Sequence, residues 1–296
     1  MHKAISFIFF SSLMLSGCAQ TTLVQNQPAE MGNLLLAEPA PINPRSEIMI
    51  ARYNQILTLP ELNDEERAEL LYQRGILYDS VGLNGLAKFD YGQAIELKPD
   101  MAAAYNAIGV HYVRDNQFIE AYDAFDATLD IDPDYDFALL NRGIALYYGG
   151  RPDLAVSDLS SFVDKDTTEP FRILWAYFAI QEVDNERALA YLAQKRDAID
   201  ERHWAVSLID LFLGQQTERS VLTNLINGIE TQKQLTDRLC EAYFYLGKYH
   251  KLQGHKGTAS NYFKLSLSTN VYDYVEHRYA RLELNRMRGQ AKQKSN

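Results

Sequence analysis

The chain has 296 residues, 47% hydrophobic and 23% charged, with 29 Lys+Arg against 39 Asp+Glu and a formal net charge of −10. That balance suits a globular protein with enough chain for a sizeable core. It argues against a nucleic-acid partner, because a phosphate backbone is met by clustered cations.

Residues 1–17 read as a targeting segment. His2 and Lys3 give a short basic start, and Ala4 to Leu15 form an apolar run too short to span a bilayer as a stable anchor. The next four positions, Leu15-Ser16-Gly17-Cys18, resemble the bacterial lipobox. That resemblance implies cleavage before Cys18 and lipidation of its sulfur and amine, with no other cofactor. Ala19 is not Asp, so the associated sorting rule points to the outer membrane and a periplasm-facing body. Several acyl chains, at ~0.8 kcal/mol per buried CH₂, hold such an anchor without a membrane-spanning helix. Residues 18–45 carry Gln, Asn and Thr and then Pro39, Pro41 and Pro44, with no helical or strand period, and are expected to be a flexible tether.

From Ser46 the apolar spacing is helical almost throughout and predicts an all-α fold. Residues 46–67 supply an extra N-terminal helix and a loop. The helix either covers the open side of the first helix pair or joins a second subunit. Asn63 and Glu66 have the spacing of a capping box. Gly75, Gly109 and Gly143 then recur at 34-residue intervals, as do Ala87, Ala121 and Ala155, and Pro99 and Pro133. This resembles the tetratricopeptide repeat (TPR), a 34-residue helix–turn–helix unit that stacks into a superhelix of antiparallel helix pairs. Residues 68–168 hold three such repeats. In the third, Leu146, Leu159 and Phe162 replace the usual residue types and the closing Pro is missing. Residues 169–238 keep the helix-pair spacing without the signature and are expected to be two degenerate repeats. Tyr243, Gly247, Ala259 and Phe263 restore the register in residues 239–285, and residues 286–296 are expected to be a disordered tail.

Gly and Ala on facing helix sides allow close approach, while the larger residues fill the space around them. The same register assigns a concave groove to Tyr72, Ile76 and Asp79, then Asn106, Val110 and Arg114, then Asn141, Ile144 and Tyr148. Amides there can bond a peptide backbone and aromatics can cover its side chains. Each of these residues could instead contact the next repeat or another subunit. The carboxylate clamp of some chaperone-type repeats wants Lys and Asn where Tyr72 and Ile76 stand, so it is not intact.

No catalytic spacing survives inspection. The sequence contains no G-x-S-x-G, H-E-x-x-H, P-loop or C-x-x-C. Asp130 to Asp136 alternates oxygens as a calcium loop does, but Tyr135 stands where the loop needs glycine. His250 and His255 are out of phase for one helix face, so no metal site is expected. His277 reads as a hydrogen-bonded packing residue and Cys240 as a small buried hydrophobe.

The blocks ERAELLYQRGILYDSVG, LNRGIALYYGGR, YFYLGKY and VEHRYA, between about Ser46 and Leu284, are similar to the NlpI lipoproteins of Gram-negative bacteria. The resemblance implies an outer-membrane homodimer that faces the periplasm. It implies an adaptor, not an enzyme, which docks a tail-specific protease (Prc) and presents a cell-wall endopeptidase (MepS) for degradation, with other peptidoglycan enzymes as further partners. Two alternatives stay open: a hydrolase with an unrecognised site, and an assembly or pilotin-type lipoprotein of a secretion or pilus complex.

Overall fold

The computed structural model describes residues 34–294; the expected signal peptide, Cys18 and the first part of the tether lie outside the described residues. Fourteen helices make up the described chain, with no strand among the described residues. They are α1 (Pro44–Ile56), α2 (Asp64–Ser80), α3 (Asn84–Leu97), α4 (Ala102–Arg114), α5 (Phe118–Ile131), α6 (Ala138–Tyr148) and α7 (Pro152–Lys165). The second half holds α8 (Pro170–Val183), α9 (Asn185–Arg196), α10 (Val206–Phe212), α11 (Glu218–Leu225), α12 (Gln232–Leu252), α13 (Lys256–Ser268) and α14 (Val275–Lys294). None is long and apolar enough to cross a membrane.

Local chemistry sets the helix ends. The Asn63 side chain accepts from the Glu66 N–H at 2.8 Å and Glu66 accepts from the Asn63 N–H at 3.2 Å, which completes the capping box that starts α2. Thr231 and Gln234 do the same for α12. After α6 the chain turns at Gly150, whose φ of +77° is left-handed backbone that glycine adopts without strain.

The repeat glycines lie at helix-pair contacts. A Cβ on Gly75 would sit 2.5 Å from the Tyr91 ring; on Gly109, 2.6 Å from Phe125; on Gly143, 2.6 Å from Leu159; and on Gly247, 2.6 Å from Phe263. Each partner belongs to the second helix of the same pair and is buried. Gly109→Ala is therefore expected to destabilise the fold by about 1–2 kcal/mol, with ~1–3 kcal/mol of overpacking partly offset by alanine's better helix propensity. Thermal melts check this against Gly257→Ala, where a Cβ meets nothing within 4 Å and no loss is expected.

Two helix pairs are also stapled by charge. Arg74 grips Asp90 with two bonds of 2.7 Å, and Arg142 grips Asp158 with bonds of 2.7 and 2.8 Å. The repeat between them carries Ile108 and Ala124 at the same positions, both buried. Residues 169–238 form α8 to α11 and the start of α12, so the expected boundary at residue 239 falls inside a helix. In this stretch α8 is apolar on every side from Ile173 to Ile180 and lies in the middle of the core.

Two boundaries differ from expectation. Residues 34–43 are not a free tether. Leu34, Leu35 and Ala37 pack on the core, the Tyr243 hydroxyl donates to the Leu35 carbonyl, and Thr236 Oγ1 donates to the Glu38 carbonyl at 3.2 Å. The Ala40 N–H reaches the Thr269 carbonyl at 2.7 Å, so this segment straps across α12 and α13 before α1 begins at Pro44. Its apolar residues find a surface that only the folded C-terminal repeat provides. At the other end, residues 286–294 continue α14 instead of fraying. Arg286 donates to the Tyr148 carbonyl at 2.8 Å and Met287 packs on the core.

Candidate functional site

The first helices of successive pairs line up side by side, α4 against α6 and α6 against α8. α14 then returns to this inner row, packing on α13, α12 and α4. Its Glu283, fully buried, accepts from the Tyr148 hydroxyl at 3.0 Å, from Lys248 Nζ at 2.9 Å and from Lys251 Nζ at 2.6 Å. Lys248 also donates to the Tyr147 hydroxyl at 2.7 Å, and its ammonium lies 4.5 Å from the Tyr147 ring centre and 4.7 Å from that of Phe178. Aromatic faces and one carboxylate thus hold a buried cation. Burial opposes ionisation of Glu283, but the Lys248 and Lys251 charges outweigh it and hold the carboxyl down at about 2.

This return divides the expected groove. Ile76, Asp79, Asn106, Val110 and Asn141 line one open cleft of about 310 Å³. Phe137 and Leu140 of the third repeat complete it, together with Asp273, Val275 and Arg278 from the approach to α14 and its first turn. Asn141 Nδ2 donates to Asn106 Oδ1 at 2.9 Å, which leaves the Asn141 oxygen to serve a ligand, while the Asn106 amide hydrogens also face the Tyr135 hydroxyl. Asp79 lies deeper. Its Oδ2 accepts from the Tyr91 hydroxyl and from His111 Nε2, both at 3.0 Å, while Oδ1 is buried without a partner. Phe137, 53% exposed, offers an apolar face at the cleft.

Ile144 and Tyr148 are not groove residues. Ile144 is 0% and Tyr148 3% exposed. Tyr148 is shut in by Trp175, Tyr279 and the Glu283 carboxylate. Arg114 faces a separate pocket beside Arg278 and Arg281, and Tyr72 is half-buried against the Tyr91 ring, outside the cleft. Phase explains part of this. Thirty-four residues on from Asp79 is the buried Val113, not Arg114, and one residue along a helix turns a side chain by about 100°. By the same count Leu140 is the counterpart of Asn106, and it lines the cleft. The contributions of Asp273, Val275 and Arg278 carried no sequence signal, because they depend on a chain end folding back onto helices more than a hundred residues away.

The remaining chemistry-bearing groups are packing groups. Cys240 is buried with its sulfur 3.6 Å from Ser266 Oγ, and burial pushes its thiol up to about 12. His277 donates from Nε2 to the Leu267 carbonyl at 3.1 Å. His250 and His255, at the end of α12 and the start of α13, approach to 3.4 Å across the turn, and His250 Nε2 is taken by Glu218 at 2.6 Å. The Asp79–His111 pair resembles half of a catalytic relay, but His111 is 4% exposed and its Nδ1 is buried without a partner. The one hydroxyl beside the pair, that of Tyr91, is spent on Asp79 Oδ2, and no serine, threonine or cysteine lines the cleft among the described residues.

No family model matches the chain. Among solved structures, a tetratricopeptide repeat protein from Parabacteroides merdae is similar over 82% of this chain and 90% of its own, with a TM-score of 0.50 and 15% identity. The fold is a TPR superhelix. YrrB, described as a TPR protein with an unusual peptide-binding site, matches over 79% of this chain and 97% of its own at TM-score 0.44 and 16% identity. The pilF protein of Pseudomonas aeruginosa matches over 74% and 99% at TM-score 0.42 and 19% identity.

Proposed function

We propose that this protein is a non-catalytic adaptor that binds a peptide segment of another protein in the cleft between its first three repeats and α14. One observation carries the reading: the Asn106–Asn141 amide pair, half-buried and buried respectively, lines the cleft beside the apolar walls of Ile76, Val110, Phe137 and Leu140. Amides that can donate to and accept from a backbone, beside surfaces that take side chains, are what an extended segment needs.

The finer reading rests on the NlpI-like blocks and the lipobox-like Leu15-Ser16-Gly17-Cys18. On it, the chain is a homodimeric lipoprotein, held to the periplasmic side of the outer membrane by lipid on Cys18. It docks a Prc-type tail-specific protease and presents a MepS-type endopeptidase, thereby limiting cell-wall hydrolysis. Purified chain is expected to leave peptidoglycan and peptides intact by itself, and to accelerate loss of the endopeptidase only when the protease is added. Cleavage by the chain alone would refute the adaptor reading, and recovery of a secretin in place of the protease would replace it with the assembly reading.

A further inference from the structure

Beside the cleft lies a second pocket of about 250 Å³, lined by Arg114 of α4 and by His277, Arg278 and Arg281 of α14, with Asn84 and Tyr272 at its edge. No Asp or Glu lines it, although acidic residues outnumber basic ones in the chain. The nearest carboxylate to Arg114 is Asp115, 3.8 Å away, and Lys88 already engages Asp115 at 2.9 Å. Arg278 donates from Nε to the Tyr272 carbonyl at 3.1 Å, which orients its guanidinium and leaves the terminal nitrogens free of any bond among the described residues. Arg281 is exposed and makes no ion pair or side-chain hydrogen bond among the described residues. Burial chiefly, opposed by the Leu267 carbonyl bond and helped by the Arg281 and Arg278 charges, holds the His277 imidazole at about 4, so the pocket's positive charge comes from the arginines alone. Three guanidinium groups facing one space without a counter-charge repel each other, and an anion there relieves the repulsion.

We propose that Arg114, Arg278 and Arg281 form an anchor for a carboxylate of the peptide bound in the adjoining cleft. This rests on the cleft reading above. Arg278 lines both spaces, so a chain lying on Asn106 and Asn141 runs directly to the arginines. The cleft itself carries Asp79 and Asp273, which disfavour a polyanion along its length and favour neutral or basic residues before the anchored carboxylate. Charge therefore gives the site a direction, acidic in the cleft and basic at the end. The anchor differs from the clamp of chaperone-type repeats, because two of its three arginines come from α14 and not from a repeat.

The test is fluorescence anisotropy with the full chain and three dye-labelled hexapeptides that share a lysine at the second position. One has a free C-terminal carboxylate, one is C-terminally amidated, and one is amidated with an aspartate at the last position. At least one carboxylate-bearing probe should bind about tenfold more tightly than the amidated one. Arg281→Gln and Arg114→Gln should each remove that preference while melting as the parent does. The double change Asn106→Ala with Asn141→Ala should weaken every probe to a similar extent. Equal binding of all three probes, an unchanged preference in both arginine variants, or no binding by any probe would overturn the anchor. So would selective binding of inorganic phosphate or of phosphatidylglycerol vesicles in place of peptide. If the arginine variants lose the preference and the asparagine variant binds normally, the anchor stands and the cleft reading fails. The converse leaves the cleft without its anchor.

Discussion

Glu283→Ala is expected to be among the most damaging single substitutions in this chain, costing about 3–5 kcal/mol, because it strands a buried ammonium without its carboxylate. Lys248 is 1% exposed and Glu283 0%. The alanine variant would also free the Tyr148 hydroxyl and half-release Lys251, both of which point at the same carboxylate. The double variant Lys248→Met with Glu283→Leu should recover most of the loss, since a well-packed apolar pair of similar volume replaces a buried ion pair at little net cost. Denaturant melts of the two variants check this. Equal losses in both would show that packing volume, and not the stranded charge, sets the cost. The carboxyl itself gives a pH signature. Its folded value of about 2 lies below the ~4.3 of an unfolded glutamate, so its contribution is present above that range and disappears as the pH falls toward 2.

Glu276, about two helical turns earlier on α14, should behave in the opposite way. Burial raises its carboxyl to about 7, with the Glu169 charge adding and the Tyr245 hydroxyl bond of 3.0 Å opposing. Burial also raises Glu241 well above its ordinary value, with the Glu276, Asp237 and Glu169 charges contributing, so the two carboxyls titrate as interacting groups. A carboxyl raised in the folded state favours folding fully below the unfolded value near 4.3, and that advantage is lost as the pH rises through about 7. Glu276→Gln keeps an acceptor for Tyr245 and carries no charge. It is expected to be more stable than the parent at pH 8 by about 2–3 kcal/mol and to match it near pH 4. A difference that does not change between those pH values would rule out titration as the cause.

Both predictions concern α14, the element the sequence described least well. The helix pairs were legible because their chemistry is local and recurs. Gly75, Gly109, Gly143 and Gly247 each remove a Cβ that would strike the partner helix, and the recurring glycine records that need four times. Asn63 and Glu66 cap α2 from within a single turn. The repeat half of the site follows from the same periodicity only in part: Asn106 is in register, while Asn141 stands one residue past Leu140, its 34-residue counterpart. The other half does not, since Arg278 and Arg281 reach it only after the last helix turns back along α4. Such a contact depends on the curvature accumulated over many pairs, which no local spacing encodes. For the same reason Tyr148, read as groove-facing, became the seat of Glu283. The strap at residues 34–43 was also hidden, because a proline-spaced chain without helical or strand period looks the same whether solvated or docked on Tyr243 and Thr236.

The central claim is that a partner protein is held in the cleft between the first three repeats and α14, and photocrosslinking in cells tests it most directly. A photoreactive phenylalanine analogue at Phe137, in the cleft, is compared with one at Leu154 on α7, which is 54% exposed but outside the cleft. The adaptor account predicts that Phe137 captures a periplasmic protease or its cell-wall hydrolase substrate, that the product disappears in the Asn106→Ala, Asn141→Ala background, and that Leu154 does not give it. The same product from both positions, or a product unaffected by the two alanines, would contradict the account.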